Sequence, residues 1–347
     1  MLDVLTDWSD ALVELAGGRF DDVYCRPAYA ALYLKDGARA EALRYRRGGD
    51  TLLLPWLVRP IEGPALPRIA YDFETPYGYG GPLSSTDDPA FLAEAWQAIE
   101  DHCRAIGVVC GFLRFHPFFD NQRWVSGSAM TVVRDRDTVI LSLDKSPDTV
   151  WNGYASGTRS KVRKAQRQGV TVTPYTDVES LAVFSKLYRS HMEELDAHQD
   201  YFFDDAYFDG ISRLGGDAWT VYLARLGDVV IGGALVLTSQ RWAHYHLSSS
   251  PREFSAYAPN NILRHTVAMA LLGSGRERIH FGGGRTADPE DSLLRFKAGF
   301  SPERASFHFG KFTASPDAYA TLCDWWAETY PHLVERFAGR FLRYRYR

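Results

Sequence analysis

Three consecutive glycines, Gly282 to Gly284, stand between a short alternating run and a helix-start signal, and this junction limits the fold more than any other part of the chain. Ile279 and Phe281 alternate with His280 as in a strand, and the glycines then permit dihedrals and close approaches that side chains forbid. The strand therefore ends in a turn. Asp288 suits an N-cap, Pro289 the first helical position, Glu290 and Asp291 the positive end of the helix dipole, and Gly299 the stop. The spacing predicts a helix over Pro289 to Ala298. At about 100° per residue, Leu293, Leu294 and Phe296 form an apolar arc; Lys297 falls inside it and Arg295 points away. A lysine there either runs its stem along apolar surface to a solvated head or holds its ammonium in a cleft, where a low dielectric strengthens it against a developing oxyanion. The glycines likewise read either as a plain tight turn or as a loop facing a ligand.

The chain has 347 residues, enough for two domains, and its 46% hydrophobic and 24% charged fractions are those of a soluble globular protein. With 39 basic and 43 acidic residues the net charge is -4, which excludes a polycation and confines any nucleic-acid contact to a local patch. Cys25, Cys103, Cys110 and Cys323 lack CxxC spacing, which argues against a zinc knuckle or a dithiol motif and for reduced thiols. The start, MLDVLTDWSD, lacks the basic and apolar regions of a secretory signal, and no apolar run approaches the ~18 residues of a membrane span. A cytoplasmic, monomeric protein is expected, with contact to a membrane surface left open.

Along the chain, Asp7–Leu15 and Pro27–Leu34 read as helices, and Glu41–Arg46 with Thr51–Val58 as a hairpin across Arg47-Gly48-Gly49-Asp50. Tyr71–Ser85, dense in Gly, Pro and Tyr, reads as a loop whose Tyr77 and Tyr79 either stack on a ligand or cover a domain edge. Pro89–Ala105 is a helix, and Val108–Phe115 and Val139–Leu143 are strands. The charge pattern changes after Asp144, which places a boundary between domains of residues 1–144 and 145–347. Arg159, Lys161, Arg163, Lys164 and Arg167 follow without an acid, opposite Val162 and Ala165, as either a solvated helix face or a phosphate-binding stripe. Helices over Glu179–Glu194 and Asp204–Leu214 precede strands over Trp219–Arg225, Val229–Thr238 and Trp242–Leu247. His244 and His246 share a strand face but have no third ligand nearby, so no metal is expected and His246 is a packing or substrate-contact residue. Asn260–Leu272 is a helix, and residues 316–347, largely helical, end in RFLRYRYR, which either binds phosphate or folds back on the first domain. The hairpin, helix and strand order of residues 41–115 recurs at 219–284, which predicts two related α/β domains.

SGTRSKVRKAQRQGV, HFGGG and LLRFKAGF together resemble the Fem family of aminoacyl transferases (FemXAB, or FemABX peptidyltransferases) within the acetyltransferase-like GNAT superfamily, over nearly the whole chain. The resemblance implies an α/β (α+β) fold of two tandem GNAT-like domains, each a mixed central sheet flanked by helices. It also implies transfer of an aminoacyl group from aminoacyl-tRNA to an amine on a peptide or peptidoglycan precursor, with no cofactor. The family's Phe-Lys pair falls on Phe296 and Lys297, where the lysine is expected to stabilise the tetrahedral intermediate. Arg159, Arg163 and Lys164 match the family's basic segment and are expected to contact phosphate; Tyr77, Tyr79, His246, Gly283 and Arg285 complete the candidate substrate-contact set. No heptad pattern runs between Glu179 and Leu214, so the chain resembles the branch without a coiled-coil arm. The Arg/Gln-x-x-Gly-x-Gly/Ala turn of acetyl-CoA enzymes is replaced by SAYAPNNIL, which speaks against acyl-CoA as donor. Two alternatives stay open: acyl-CoA-dependent N-acylation on the same scaffold, and a non-catalytic binding module for a nucleotide-sugar or polyanion.

Overall fold

Turn and cap chemistry sets the first elements. Gly48, at φ +60°, turns the hairpin of β2 (Arg39–Arg47) and β3 (Asp50–Pro60), whose register runs from Arg39 opposite Val58 to Arg47 opposite Asp50. Strand β1 (Leu2–Leu5) pairs with β2; between them lie the short helices α1 (Ser9–Glu14) and α2 (Pro27–Ala30). Strand β4 (Tyr71–Glu74) pairs antiparallel with β3, and the two-residue β5 (Leu83–Ser84) also pairs with β3. Helix α3 (Pro89–Ala105) is capped by Asp88, whose carboxylate accepts from the amides of Ala90 and Phe91, and it buries Phe91, Trp96, Ile99 and Cys103. It leads to β6 (Val108–Arg114), parallel to β4. Tyr71–Ser85 is thus not a loop throughout. Its strand is hidden by acids: Asp72 is fully buried, with Arg59 at 3.0 Å and Arg345 at 2.8 Å, so residues that read as loop composition are internally paired.

The next elements are β7 (Met130–Ser142), α4 (Pro147–Gly153), α5 (Ser156–Arg167), β8 (Val170–Tyr175), α6 (Val178–Glu194) and α7 (Asp205–Ser212). They are followed by β9 (Trp219–Leu226), β10 (Val229–Thr238), β11 (Trp242–Ser249), α8 (Pro259–Leu271), β12 (Arg278–Gly283) and α9 (Ser292–Ala298). The chain closes with β13 (Arg304–Thr313), α10 (Pro316–Thr329) and α11 (Pro331–Phe337).

The computed structural model describes residues 1–63, 65–66 and 69–347, apart from the side chains of Ala16 and Asp200. These form two units: Met1–Phe20 with Tyr24–Asp135 and Phe307–Arg347, and Asp21–Val23 with Arg136–Ser306. The chain changes unit at Asp135/Arg136, not near Asp144, and 307–347 belongs to the first unit. The physical reason is that the charge change after Asp144 marks only the start of α4, whereas the strand before it is already in the second unit from Arg136 onward. In the first unit the hydrogen-bonded order is β1-β2-β3-β4-β6-β13, and Leu322, Cys323, Trp326, Phe337 and Tyr344 of the returning segment pack with Ala70, Val109 and Cys110.

In the second unit the order is β7-β12-β11-β10-β9-β8, and one core joins α5 (Val162, Ala165), α8 (Leu263, Val267, Ala268), Phe281, Leu294 and Phe300. The internal repeat is topological. β2-β3-β4-α3-β6 and β9-β10-β11-α8-β12 have the same sequence of two antiparallel pairings, a crossover helix and a parallel strand. Each unit is a mixed sheet with flanking helices, and α6 and α7 are separate helices of 17 and 8 residues rather than a long arm.

Candidate active site

The site is built at the end of β12. Pairing between β11 and β12 covers only Trp242–His244 against Arg278–His280, and β12 then shifts register against β7 between His280 and Gly282. Gly282 and Gly284 each make room for one partner, and Gly283 lends its carbonyl. Gly282 lies at φ +82°, and a Cβ on it would stand 2.9 Å from the Lys297 Nζ. The Gly283 carbonyl accepts a hydrogen bond from that Nζ at 2.7 Å. A Cβ on Gly284 would stand 2.5 Å from the Asp291 Oδ1. The turn is therefore shaped by the lysine and the aspartate behind it.

Asp291, not Asp288, caps the helix. Its Oδ1 accepts from the amides of Leu293 (2.9 Å) and Leu294 (3.0 Å), and its Oδ2 from those of Arg285 (3.1 Å) and Thr286 (3.2 Å) and from the Thr286 hydroxyl (3.2 Å). These bonds, the one from Leu294 foremost, hold its carboxyl down to about 2. Asp288 instead accepts from the Glu290 amide at 2.9 Å within the preceding turn, so the helix starts at Ser292 and not at Pro289. One carboxylate thus clasps the glycine turn to α9 and fixes where Lys297 emerges.

Lys297 does lie on the apolar side, as the wheel predicts, with Arg295 exposed. Burial pushes its ammonium down to about 7, the charge of Arg264 adds to this, and Asp291 opposes it. Arg264, on α8, is the residue that sequence reasoning missed. Its guanidinium carbon is 4.2 Å from the Tyr245 ring centroid, 5.1 Å from that of Phe296 and 5.6 Å from those of Phe281 and Phe300. The signal was available, because Arg264 shares the stripe of Val267, Ala268 and Leu271 at i+3, i+4 and i+7, where a charge is as misplaced as Lys297 is on α9. Beside Phe296 opens a pocket of about 380 Å³, lined by Thr158 and Lys161 of α5, Asn261 of α8, and Ser292, Arg295 and Phe296 of α9. No acid is among its lining residues.

The other expected site residues separate into groups. Arg163 and Lys164 are exposed on α5, with Arg163 5.3 Å over the Trp151 ring. Arg159 is not a plain solvent-facing cation: its Nη1 donates to the carbonyls of Asn152 (3.1 Å) and Tyr154, which close α4. Gly283 takes the Lys297 bond, and Arg285 is exposed with its amide on Asp291. His246 receives or donates a 2.7 Å bond at Nε2 with the Tyr207 hydroxyl, and burial, then His244, pushes it down to about 3, so it is a neutral imidazole near pH 7. His244 bonds Asp22 at 2.8 Å. Tyr77 and Tyr79 lie in the first unit: the Tyr77 carbonyl accepts from the Tyr29 hydroxyl at 2.7 Å, and the Tyr79 ring packs on Tyr24 and Phe307 at 5.7 and 5.6 Å.

Residues 154–298 match the family model described as Acetyltransferase (GNAT) domain. Over 216 residues the chain is 24% identical to the UDP-N-acetylmuramoylpentapeptide-lysine N(6)-alanyltransferase of Weissella viridescens, covering 60% of this chain and 63% of that protein's length. A crystal structure of FemX superposes with a TM-score of 0.66 at 16% identity, covering 86% of this chain and 94% of that one. A tandem GNAT protein from the clavulanic acid biosynthesis pathway superposes with a TM-score of 0.52 at 13% identity, covering 91% and 99%. The chain is a tandem GNAT-fold protein. Its sequence is similar to that of the Weissella viridescens alanyltransferase, and its fold to that of FemX.

Proposed function

We propose that the chain is an aminoacyltransferase of FemXAB type that moves an aminoacyl group from aminoacyl-tRNA to an amine of a peptide or cell-envelope precursor, forming an amide. The observation that carries this reading is Lys297, a partly buried lysine on the apolar side of its helix, at a glycine turn and next to an aromatic residue, where an ammonium is worth most against a tetrahedral oxyanion. An amine is nucleophile enough to attack an ester directly, so no covalent serine or cysteine intermediate is required. The acid-free pocket beside Phe296, with Lys161 and Arg295 on its wall, suits the phosphate-bearing end of a nucleic-acid donor. Acyl-CoA fits the start of α8 less well: Pro259 has no N–H, and the amides of Asn261 and Ile262 donate to the Ala258 carbonyl. No cofactor is required by this chemistry. No described helix is long and apolar enough to cross a membrane, and we place the reaction in the cytoplasm.

The test is an assay of the purified chain with radiolabelled aminoacyl-tRNA and, separately, acyl-CoA, each with cell-envelope precursors and small amines. Amide formation from the tRNA ester is expected. Transfer from acyl-CoA alone would replace this reading with N-acylation, and binding of phosphate ligands without transfer from either donor would leave a binding module.

The basic face of α5 gives a second measurement. Arg163→Ala with Lys164→Ala is expected to lower the slope of log affinity against log salt by about 1.5 for tRNA, one counterion contribution for each lost phosphate contact. Unfolding midpoints should stay within the small range of surface substitutions. An unchanged salt slope would make this face a solubility feature.

A further inference from the structure

Arg264 is 3% exposed, its Nε has no hydrogen-bond partner, and no carboxylate pairs with it among the described residues. Four ring faces surround it, and such faces offset only part of the cost of burying a guanidinium. A buried charge left uncompensated acts on whatever ionisable group stands nearest. Besides Tyr245, whose ring Arg264 faces, that charge acts on Lys297, whose chain neighbour Phe296 forms one wall of the cage. The Nζ of Lys297 meets a backbone carbonyl and not a carboxylate, so one N–H is engaged while the amine's lone pair is free of any counter-charge. The charged groups on the elements around it are Arg264 on α8, Arg136 and Asp137 on β7, Arg278 on β12, the five cations of α5 (Arg159, Lys161, Arg163, Lys164 and Arg167), and Arg285, Asp288, Glu290, Asp291 and Arg295 on its own turn and helix. Cations outnumber acids, and Asp291, the acid that opposes them, spends both oxygens on backbone amides and the Thr286 hydroxyl.

We infer that Arg264 is a positioning residue for the transfer reaction: its uncompensated charge adds to burial in favouring Lys297 as the neutral amine at rest, so that Lys297 takes the proton of the attacking amine before acting as the ammonium over the tetrahedral oxygen. The inference rests on the transferase reading and supplies its proton acceptor. As the acceptor nitrogen bonds to the ester carbon, the carbonyl electron pair moves to oxygen and the N–H proton moves to Nζ. Collapse re-forms the carbonyl, the bond to the ribose oxygen breaks, and Nζ returns the proton to that oxygen. One amine and one ester give one amide and one hydroxyl, and Lys297 ends as it began. Burial first and Arg264 second bring Lys297 down to about 7, so that a large share of it is the neutral amine near neutral pH.

The experiment is an NMR titration of the full chain carrying ¹³Cε-labelled lysine, with the Lys297 resonance assigned by its loss in Lys297→Met. Lys297 is expected to titrate near neutrality and to move up by about one to two pH units in Arg264→Met, the effect of removing one neighbouring buried charge. Arg264→Gln keeps a polar side chain without the charge and serves where the methionine variant does not fold. A wild-type Lys297 that titrates in the ordinary lysine range, or one that Arg264→Met leaves unmoved, overturns the inference. Single-turnover transfer from pre-bound donor should rise with pH along the Lys297 titration, and a rate that falls through it would remove the proton-accepting role. Failure of the transferase reading is separate, since it would show as no amide from any donor while the substrate-free titration still decides the pairing of Arg264 with Lys297.

Discussion

Lys297→Met is expected to fold and to turn over about a hundredfold to a thousandfold more slowly, a loss of about 3 to 4 kcal/mol of transition-state stabilisation. Methionine keeps the length and apolar volume of the stem, and the bond to the Gly283 carbonyl is the one contact of the ammonium that it gives up. Donor affinity should change little, because the charge is needed only when the oxyanion forms. Lys297→Arg should rescue poorly: a planar fork needs more room than an ammonium, and Nζ already sits where a Cβ on Gly282 would come within 2.9 Å. Steady-state kinetics on whichever donor is active checks both variants. A folded Lys297→Met variant with near-normal turnover would take the residue out of the mechanism.

Gly282→Val is expected to lower turnover by a similar factor through the backbone instead of the charge. A side chain at φ +82° costs about 1 to 2 kcal/mol in the left-handed region, and its Cβ would meet the ammonium head-on. The turn must then shift or Lys297 must leave the Gly283 carbonyl, and either moves the reacting group out of line. The pattern separates this from simple destabilisation: kcat should fall far more than the unfolding midpoint suggests at assay temperature. Full activity in a stable Gly282→Val protein would show that the turn is not shaped around the lysine.

Much of the framework was legible from local chemistry. The span Pro89–Ala105 of α3 is read from the sequence alone, and the wheel isolates Lys297, because helix signals and periodicity act over a few residues. Where two local signals compete, the sequence does not choose. Asp288-Pro289 and Asp291 are both acceptable starts for α9, and the choice falls to Asp291 because the amides of Arg285 and Thr286 also reach it. β8 is hidden differently: VTVTPY carries Pro174, which a strand tolerates only at the edge of a sheet, and β8 is the edge of its sheet. Arg264 and Asp72 show the remaining difficulty. A buried charge looks like any surface charge until the rings or arginines around it are known, and those come from distant parts of the chain.

The return of residues 307–347 to the first unit bears on how the protein is made. Synthesis proceeds from the N-terminus, yet Asp72 meets Tyr344 and Arg345, and Cys110 meets Tyr344, only after more than two hundred further residues have been produced. The unit begun first is thus the unit finished last. Until then its returning segment is missing, and a fully buried carboxylate lacks one of its two cations. The second unit, apart from Asp21–Val23, is one continuous run that ends at Ser306. Lys297 and its clasp can therefore be in place on the ribosome while the first unit still waits for its closing strand and helices.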